Sequence, residues 1–242
     1  MTVRALIFDV DGTLAETEEL HRIAFNRAFA EAGLPWTWDR KLYGDLLKVA
    51  GGRERIEAHA SRVGAQAVDA PALHRRKTEL YNEAMVPGLV ELRPGVEDLL
   101  RRARTIGLDL AIATTTSRAN VVGLMRGTLG EDALGWFRSI RTGEDTSRKK
   151  PDPEVFQRVL DDLGHRPEDC LIFEDSENGL RAAQAAHVPV VITPSIYTGE
   201  DDFSGADYIF KNLGEPFSIL KFEPDFAFHD VGADVRDLLF HG

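Results

Sequence analysis

The sequence predicts an α/β protein in which a parallel sheet, covered by helices on both faces, is interrupted near its start by an all-helical insertion. Three observations lead there. Residues 89–192 alternate short apolar runs with helical patterns, as repeated βαβ units do. Val3 to Phe8 is a run rich in β-branched and aromatic residues that stops abruptly at Asp9-Val10-Asp11-Gly12-Thr13, the pattern of a buried strand ending in a polar loop. From Glu16 to about Pro87 almost no strand signal appears, and apolar residues recur at helical spacing, as at Phe25, Ala28, Phe29 and Ala32. The expected boundaries are a core of residues 1–14 and 89–242 and a helical cap at 15–88.

Within the insertion, breaks at Gly33-Leu34-Pro35, Gly51-Gly52 and Pro71 divide the chain into four helices. After Pro87-Gly88 the reading is a helix from Gly95, a strand from Leu108 to Ala113, a helix after Asn120 and a strand near Ile140. A helix from Pro153, a strand from Leu171, a helix from Gly179 and a strand from Val188 to Ile192 follow. Asp152-Pro153 reads as an N-cap followed by proline at the first helical position, with Phe156, Val159, Leu160 and Leu163 as the inward stripe. The tail from Glu215, with Phe217, Phe222, Phe226 and Phe228, has weak periodicity and receives no element.

At 242 residues, with 43% apolar and 29% charged side chains, the chain can bury a core without disulfide or metal staples. The 29 Lys and Arg against 40 Asp and Glu leave a net charge of -11, which sets duplex nucleic acid aside as a partner while leaving room for local cationic grips on a phosphorylated metabolite. No segment approaches the roughly 18 apolar residues of a membrane span, and the first apolar stretch is too brief for a secretory signal. Cys170, the one cysteine, lies in the apolar run Cys170-Leu171-Ile172-Phe173 and reads as a buried thiol in a reducing compartment. The expected location is the cytoplasm, or a soluble plastid compartment after loss of a transit peptide.

Open α/β sheets bind ligands outside the carboxyl ends of their strands. Three such ends carry polar clusters: Asp9 and Asp11, then Thr114-Thr115-Thr116-Ser117, then Glu174-Asp175-Ser176; Lys149-Lys150-Pro151 lies before a helix start. Close carboxylates, hydroxyls and a cation are the parts of Mg²⁺-assisted phosphoryl transfer. Asp9 would attack phosphorus to give an aspartyl phosphate. Asp11, beside another carboxylate, is expected to have its ionisation pushed upward and to serve as acid and base. Lys150 and the Thr114 hydroxyl would hold the equatorial charge, and Lys149 reads as solvent-facing. The pairs Asp161-Asp162 and Asp201-Asp202 read as surface.

Asp9-Val10-Asp11-Gly12-Thr13-Leu14, the strand ending in Thr114, Lys150-Pro151 and Glu174-Asp175-Ser176 resemble, in order and spacing, the four motifs of the haloacid dehalogenase superfamily of phosphatases. That resemblance covers nearly the whole chain and implies a Rossmann-like core with an inserted four-helix cap, as in the β-phosphoglucomutase-like group. It implies Asp9 as nucleophile, Asp11 as acid/base, and Mg²⁺ held by Asp9, the Asp11 backbone carbonyl and Asp175, with Glu174 a further ligand.

The stretches Ala15-Glu16-Thr17-Glu18-Glu19-Leu20-His21, Gly51-Gly52-Arg53-Glu54-Arg55-Ile56, His74-Arg75-Arg76-Lys77-Thr78-Glu79 and Ala113 to Asn120 look like the CbbY group of carbon-fixing organisms. Members remove the 1-phosphate of xylulose 1,5-bisphosphate, a misfire product that inhibits Rubisco. The resemblance implies a small-molecule sugar phosphate as partner, and the expected state of the chain is a monomer. Arg53, Arg55, His74, Lys77 and Arg118 would clamp a distal phosphate; Glu16 and Asn120 would read sugar hydroxyls; Thr115 and Ser117 belong to the substrate loop. His21 would face the cleft, and Gly51 and Gly52 would let backbone amides approach a phosphate. A phosphotransferase of the β-phosphoglucomutase kind and a non-enzymatic binding protein on the same scaffold stay open as alternatives.

Overall fold

A computed structural model describes residues 3–65, 67–86 and 88–214; the phenylalanine-rich tail from Glu215 and the Pro87 boundary lie outside the described residues. Six strands form one parallel sheet in the order β3-β2-β1-β4-β5-β6, with β1 Ala5–Phe8, β2 Asp109–Ala113, β3 Phe137–Arg141, β4 Cys170–Glu174, β5 Val190–Ile192 and β6 Tyr208–Ile209. The central strands are apolar throughout because both faces are covered. Leu6 and Phe8 of β1 face one layer with Val96, Leu99 and Leu100 of α5 (Val96–Thr105) and Val121 and Leu124 of α6 (Arg118–Thr128). Ala5 and Ile7 face the other, formed by Val155, Phe156 and Val159 of α7 (Glu154–Leu163) and Leu180 and Ala183 of α8 (Glu177–Ala185). The strand and helix alternation read from the sequence is therefore present, with β6 added: two residues are too few to show a period.

Between β1 and α5 lie the four cap helices α1 Glu18–Glu31, α2 Arg40–Leu47, α3 Gly52–Arg62 and α4 Ala70–Ala84. They enclose an aromatic cluster of their own, in which Trp38 packs on Phe25 at 4.8 Å and on Phe29 at 4.7 Å between ring centroids. Pro71 is not a break. It stands in the first turn of α4 behind the N-cap Asp69, whose carboxylate accepts from the Ala72 amide, where a missing N–H costs no helical bond. Two further helix starts shift by a few residues: α6 begins at Arg118 behind Ser117, and α8 at Glu177 behind Ser176, because each serine accepts an amide of its helix's first turn. The Asp152 carboxylate accepts the Glu154 amide at the start of α7.

The chain enters and leaves the cap through adjacent segments, tied by a bridge between Ala15 and Leu92 and by the Arg93 amide on Leu14 O at 2.8 Å. The Arg93 side chain is buried there. Its guanidinium donates to the carbonyls of Gly12, Thr193 (2.6 Å), Pro194 (2.8 Å) and Lys211 (3.3 Å) and pairs with Glu16 at 3.3 Å. One planar cation thus joins the hinge, the turn after β1 and the loop after β5. Arg93→Ala should cost about 3 kcal/mol by urea unfolding, because several buried acceptors lose their donor; a loss below about 1 kcal/mol would show that water replaces it.

Candidate active site

The functional side chains converge because β1, β2 and β4 lie side by side and end at the same edge. Asp9 follows β1, and its amide donates to Phe173 O of β4 at 3.0 Å. Thr114 follows β2, and Glu174 and Asp175 close β4. Lys150 reaches this edge from the loop before α7: its Nζ donates to Asp9 Oδ1 at 2.7 Å, Glu174 Oε1 at 2.5 Å and Ala113 O at 2.9 Å. Two glycines make the packing possible. Gly12, at φ +82°, has no room for a Cβ because the Asp175 carboxylate occupies that space, and Gly179 of α8 leaves the same room for Glu174.

Asp9, Glu174 and Asp175 are buried and offer carboxylate oxygens within 4.8 Å of one another. Among the described residues Lys150 is the cation bonded to this group, at Asp9 and Glu174; Asp175 Oδ2 accepts from the Thr198 hydroxyl at 3.3 Å. Burial, with Glu174 and Asp9 nearby, pushes Asp175 well above the usual carboxylate range. An all-oxygen anionic cluster with too little positive charge fits a hard divalent cation.

The electrostatics of the first motif reverse the expectation from sequence. Asp9 is the carboxyl pushed up, to about 7: burial raises it, Lys150 pulls it back, and Glu174 and Asp11 add to the rise. Burial also acts on Asp11, yet His21, Thr17 and Lys77 outweigh it and hold that carboxyl below its ordinary value. The contacts explain this. Asp11 Oδ1 accepts from the Thr17 hydroxyl at 2.5 Å and from His21 Nε2 at 2.9 Å, while His21 Nδ1 faces the Lys77 ammonium at 2.6 Å. Lys77 is buried over the rings of Phe25 (4.8 Å) and Tyr81 (5.3 Å), and burial brings it down to about 7 against the pull of Asp11 and Glu18.

Core and cap together enclose a cavity of about 350 Å³. Of the residues singled out from the sequence, Asp9, Asp11, Thr114, Thr115, Lys150, Glu174 and Asp175 line its core side, and His21, Gly51, Gly52, Arg55, His74 and Lys77 its cap side. Arg55 is buried, donating to Leu46 O and to the Tyr43 hydroxyl at 3.1 Å. His74 is lowered to about 4 by burial and by Lys77, so it is neutral at pH 7.

Five others are placed elsewhere. Glu16 turns to Arg93 and the Ile196 amide. Arg53 is 52% exposed and pairs with Glu54 and Glu57 along α3, Ser117 is occupied as the cap of α6, and exposed Arg118 donates to Ile140 O. Asn120 is buried, with its amide on the Thr116 hydroxyl at 2.8 Å. A helical position three or four residues from a lining residue shares its face; Arg53, two residues from Arg55, does not.

The cavity wall also includes residues that the motifs do not flag. Glu18 accepts from the Tyr43 hydroxyl at 2.5 Å. Lys48, Arg181, Tyr197, Thr198 and Asp201 also line it. Asp201 is therefore not plain surface; it accepts the Glu177 amide at 3.0 Å. Lys149 is half-buried, with its ammonium on Gly143 O. Only the helical spacing of Glu18 ahead of His21 carried any signal for these.

The sequence also matches a family model described as haloacid dehalogenase-like hydrolase over residues 3–187. The chain belongs to this hydrolase family. The hydrolase is 50% identical to protein CbbY of Rhodobacter capsulatus over 215 residues, 88% of this chain and 95% of that one. It superimposes with a TM-score of 0.84 on the crystal structure of CbbY from Rhodobacter sphaeroides in complex with phosphate, at 43% identity over 88% of this chain and 96% of that chain. The same score, at 42% identity and the same coverage, holds for a mutant of that protein in complex with xylulose-(1,5)bisphosphate. Among the described residues no helix of this hydrolase is long and apolar enough to cross a membrane.

Proposed function

We propose that this hydrolase is an Mg²⁺-dependent phosphatase that removes the 1-phosphate of xylulose 1,5-bisphosphate, giving xylulose 5-phosphate through an aspartyl phosphate. The observation that carries the reading is the buried set Asp9, Lys150, Glu174 and Asp175 lying under cap cations in one cavity. The likeness to a relative crystallised with that bisphosphate supports the choice of sugar. Asp9, Asp175, the Asp11 carbonyl and Glu174 would hold the cation, which would supply charge shielding between the anionic nucleophile and the anionic phosphoryl group.

An Asp9 carboxylate oxygen attacks phosphorus as the sugar oxygen leaves, and Asp11 delivers a proton to that oxygen. Water then attacks the aspartyl phosphate, Asp11 takes its proton, and inorganic phosphate departs with the carboxylate restored. The ionised Asp11 is prepared for the second step; an arriving phosphate dianion raises its proton affinity for the first. Lys150 keeps Asp9 oriented, and the Thr114 hydroxyl faces the transferred group. From the cap side Lys77, Arg55 and the amides around Gly51 and Gly52, which line the same cavity, would surround the distal phosphate, and closure of the cap would exclude water.

The test is phosphate release from xylulose 1,5-bisphosphate, ribulose 1,5-bisphosphate and glucose 1-phosphate, with and without EDTA. Free phosphate in stoichiometry with xylulose 5-phosphate, abolished by EDTA, is expected. Phosphoryl transfer to another hydroxyl without free phosphate would instead make the enzyme a mutase, and inertness toward every ester would leave a binding protein.

Cap roles separate by kinetics. Lys77→Ala should raise KM for the bisphosphate by roughly tenfold or more with a smaller change in kcat, whereas Arg53→Ala should change either constant by less than about twofold. Since Lys77 is depressed to about 7, its ammonium is present below that pH and lost above it. The ratio kcat/KM should therefore fall through pH 7–9, and Lys77→Arg, which stays charged, should flatten that limb.

A further inference from the structure

The loop joining β5 to β6 performs two tasks that the reaction described above does not use. Within it, the Thr198 hydroxyl accepts the Ser195 amide at 2.8 Å and donates to Asp175 Oδ2 at 3.3 Å. Between those residues, Tyr197 leaves the core and enters the cap. Its ring meets Tyr43 of α2 edge-on, at 5.5 Å between centroids and 82° between planes, and a Cβ on Gly44 would lie 3.6 Å from its Cδ1. Its hydroxyl donates to Glu19 of α1. Glu19 is itself held by Arg22 at 2.7 Å, and Arg22 donates to Trp38 O at 2.8 Å.

Tyr197 is thus a core residue packed against the cap's own aromatic cluster, while its neighbour Ile196 is 80% exposed. A second seam contact lies nearby: Asn178 Nδ2 of α8 donates to Lys48 O at the end of α2 at 3.1 Å. Tyr197, Thr198, Asn178 and Lys48 all border the cavity.

We propose that Tyr197 is a specificity-determining positioning residue: it pins the cap to the core at the closure that a two-phosphate substrate requires, and its loop links that closure to Asp175. The physical ground is a division of labour. The core edge holds the reacting groups, whereas the distal grip comes from α3 and α4, whose distance from the core depends on how the cap is seated. A substrate lacking a distal phosphate has little to gain from that seating. The inference rests on the phosphatase reading for its kinetic test and on geometry alone for its structural one.

The test compares Tyr197→Ala, Tyr197→Phe and Glu19→Gln in the full chain, on xylulose 1,5-bisphosphate and on p-nitrophenyl phosphate, with small-angle scattering of each protein. For Tyr197→Ala, kcat/KM on the bisphosphate should fall about tenfold or more, mainly through KM, while p-nitrophenyl phosphate changes less than about twofold. Tyr197→Phe, which removes the hydrogen bond to Glu19, and Glu19→Gln, which leaves a weaker uncharged acceptor, should each lose part of this, and combining them should add little, because both act on the same contact. Equal losses on both substrates, or an unchanged bisphosphate constant, would overturn the proposal. If the wild type hydrolyses only p-nitrophenyl phosphate, the substrate reading fails, and scattering then decides the pin: a larger radius of gyration for Tyr197→Ala sustains it and an unchanged one ends it. Should Tyr197→Ala not fold, the pair Tyr197→Phe and Glu19→Gln carries the comparison.

Discussion

Asp9→Asn is expected to abolish turnover, by roughly 10⁴-fold or more, while the protein stays folded. An amide oxygen is a poor nucleophile toward phosphorus, and the substitution removes a carboxylate that is bonded to Lys150 and lies within 4.8 Å of those of Glu174 and Asp175. Its effect on stability runs the opposite way to its effect on rate. Burial raises Asp9 to about 7, so between pH 4 and 7 the unfolded chain loses a proton that the folded one keeps, and stability falls as pH rises through that window. Asparagine has no such proton to lose. The variant should therefore melt at the same temperature as the wild type or higher at pH 8 without added metal. Phosphate release and thermal unfolding on one preparation check both statements, and turnover retained after removal of contaminating phosphatases would exclude the covalent route.

The second large effect is expected at Lys150. It is buried, and its ammonium lies between Asp9 and Glu174 with the Phe156 ring at 4.9 Å. Lys150→Ala leaves three buried carboxyl groups around an uncompensated space, a loss of about 3–5 kcal/mol of the kind seen when one partner of a buried ion pair is removed. Activity should drop by at least about 10²-fold, since the same ammonium orients the nucleophile.

Protonation of the carboxyls relieves their repulsion, so the deficit should shrink between pH 8 and pH 5 in urea titrations. Added Mg²⁺ should restore part of it at pH 8, by supplying the missing positive charge to the folded state alone. A deficit that does not move with pH or with metal would mean that lost packing against Phe156 outweighs the electrostatics.

The sheet was legible because its evidence is local. The run from Ala5 to Phe8 stops at Asp9, and the run from Cys170 to Phe173 stops at Glu174 and Asp175. A strand buried on both faces must be apolar until it ends, so the first carboxylate after each run is placed at the sheet edge by the chain itself. The helical character of the insertion followed from apolar spacing in the same way, and its division into four from the breaks, although Pro71 proved to lie inside α4. The two-residue strand β6 and the shifted starts of α6 and α8 did not, being settled by a neighbouring strand and by single capping hydroxyls.

What the sequence by itself determined, then, is which residue types stand at the strand ends and that a helical insertion covers them. The tertiary structure alone decided which carboxyl keeps its proton. Asp9 meets Lys150 and Glu174 from 141 and 165 positions away, whereas Asp11 turns to His21 and Thr17. It also decided that Arg55 and Lys77 enter the cavity while Arg53 and Arg118 remain outside, and that Arg93 and Tyr197 join hinge, cap and core. Charges act through space and side chains pack on whatever the fold brings near, so neither outcome is written in the spacing of residues along the chain.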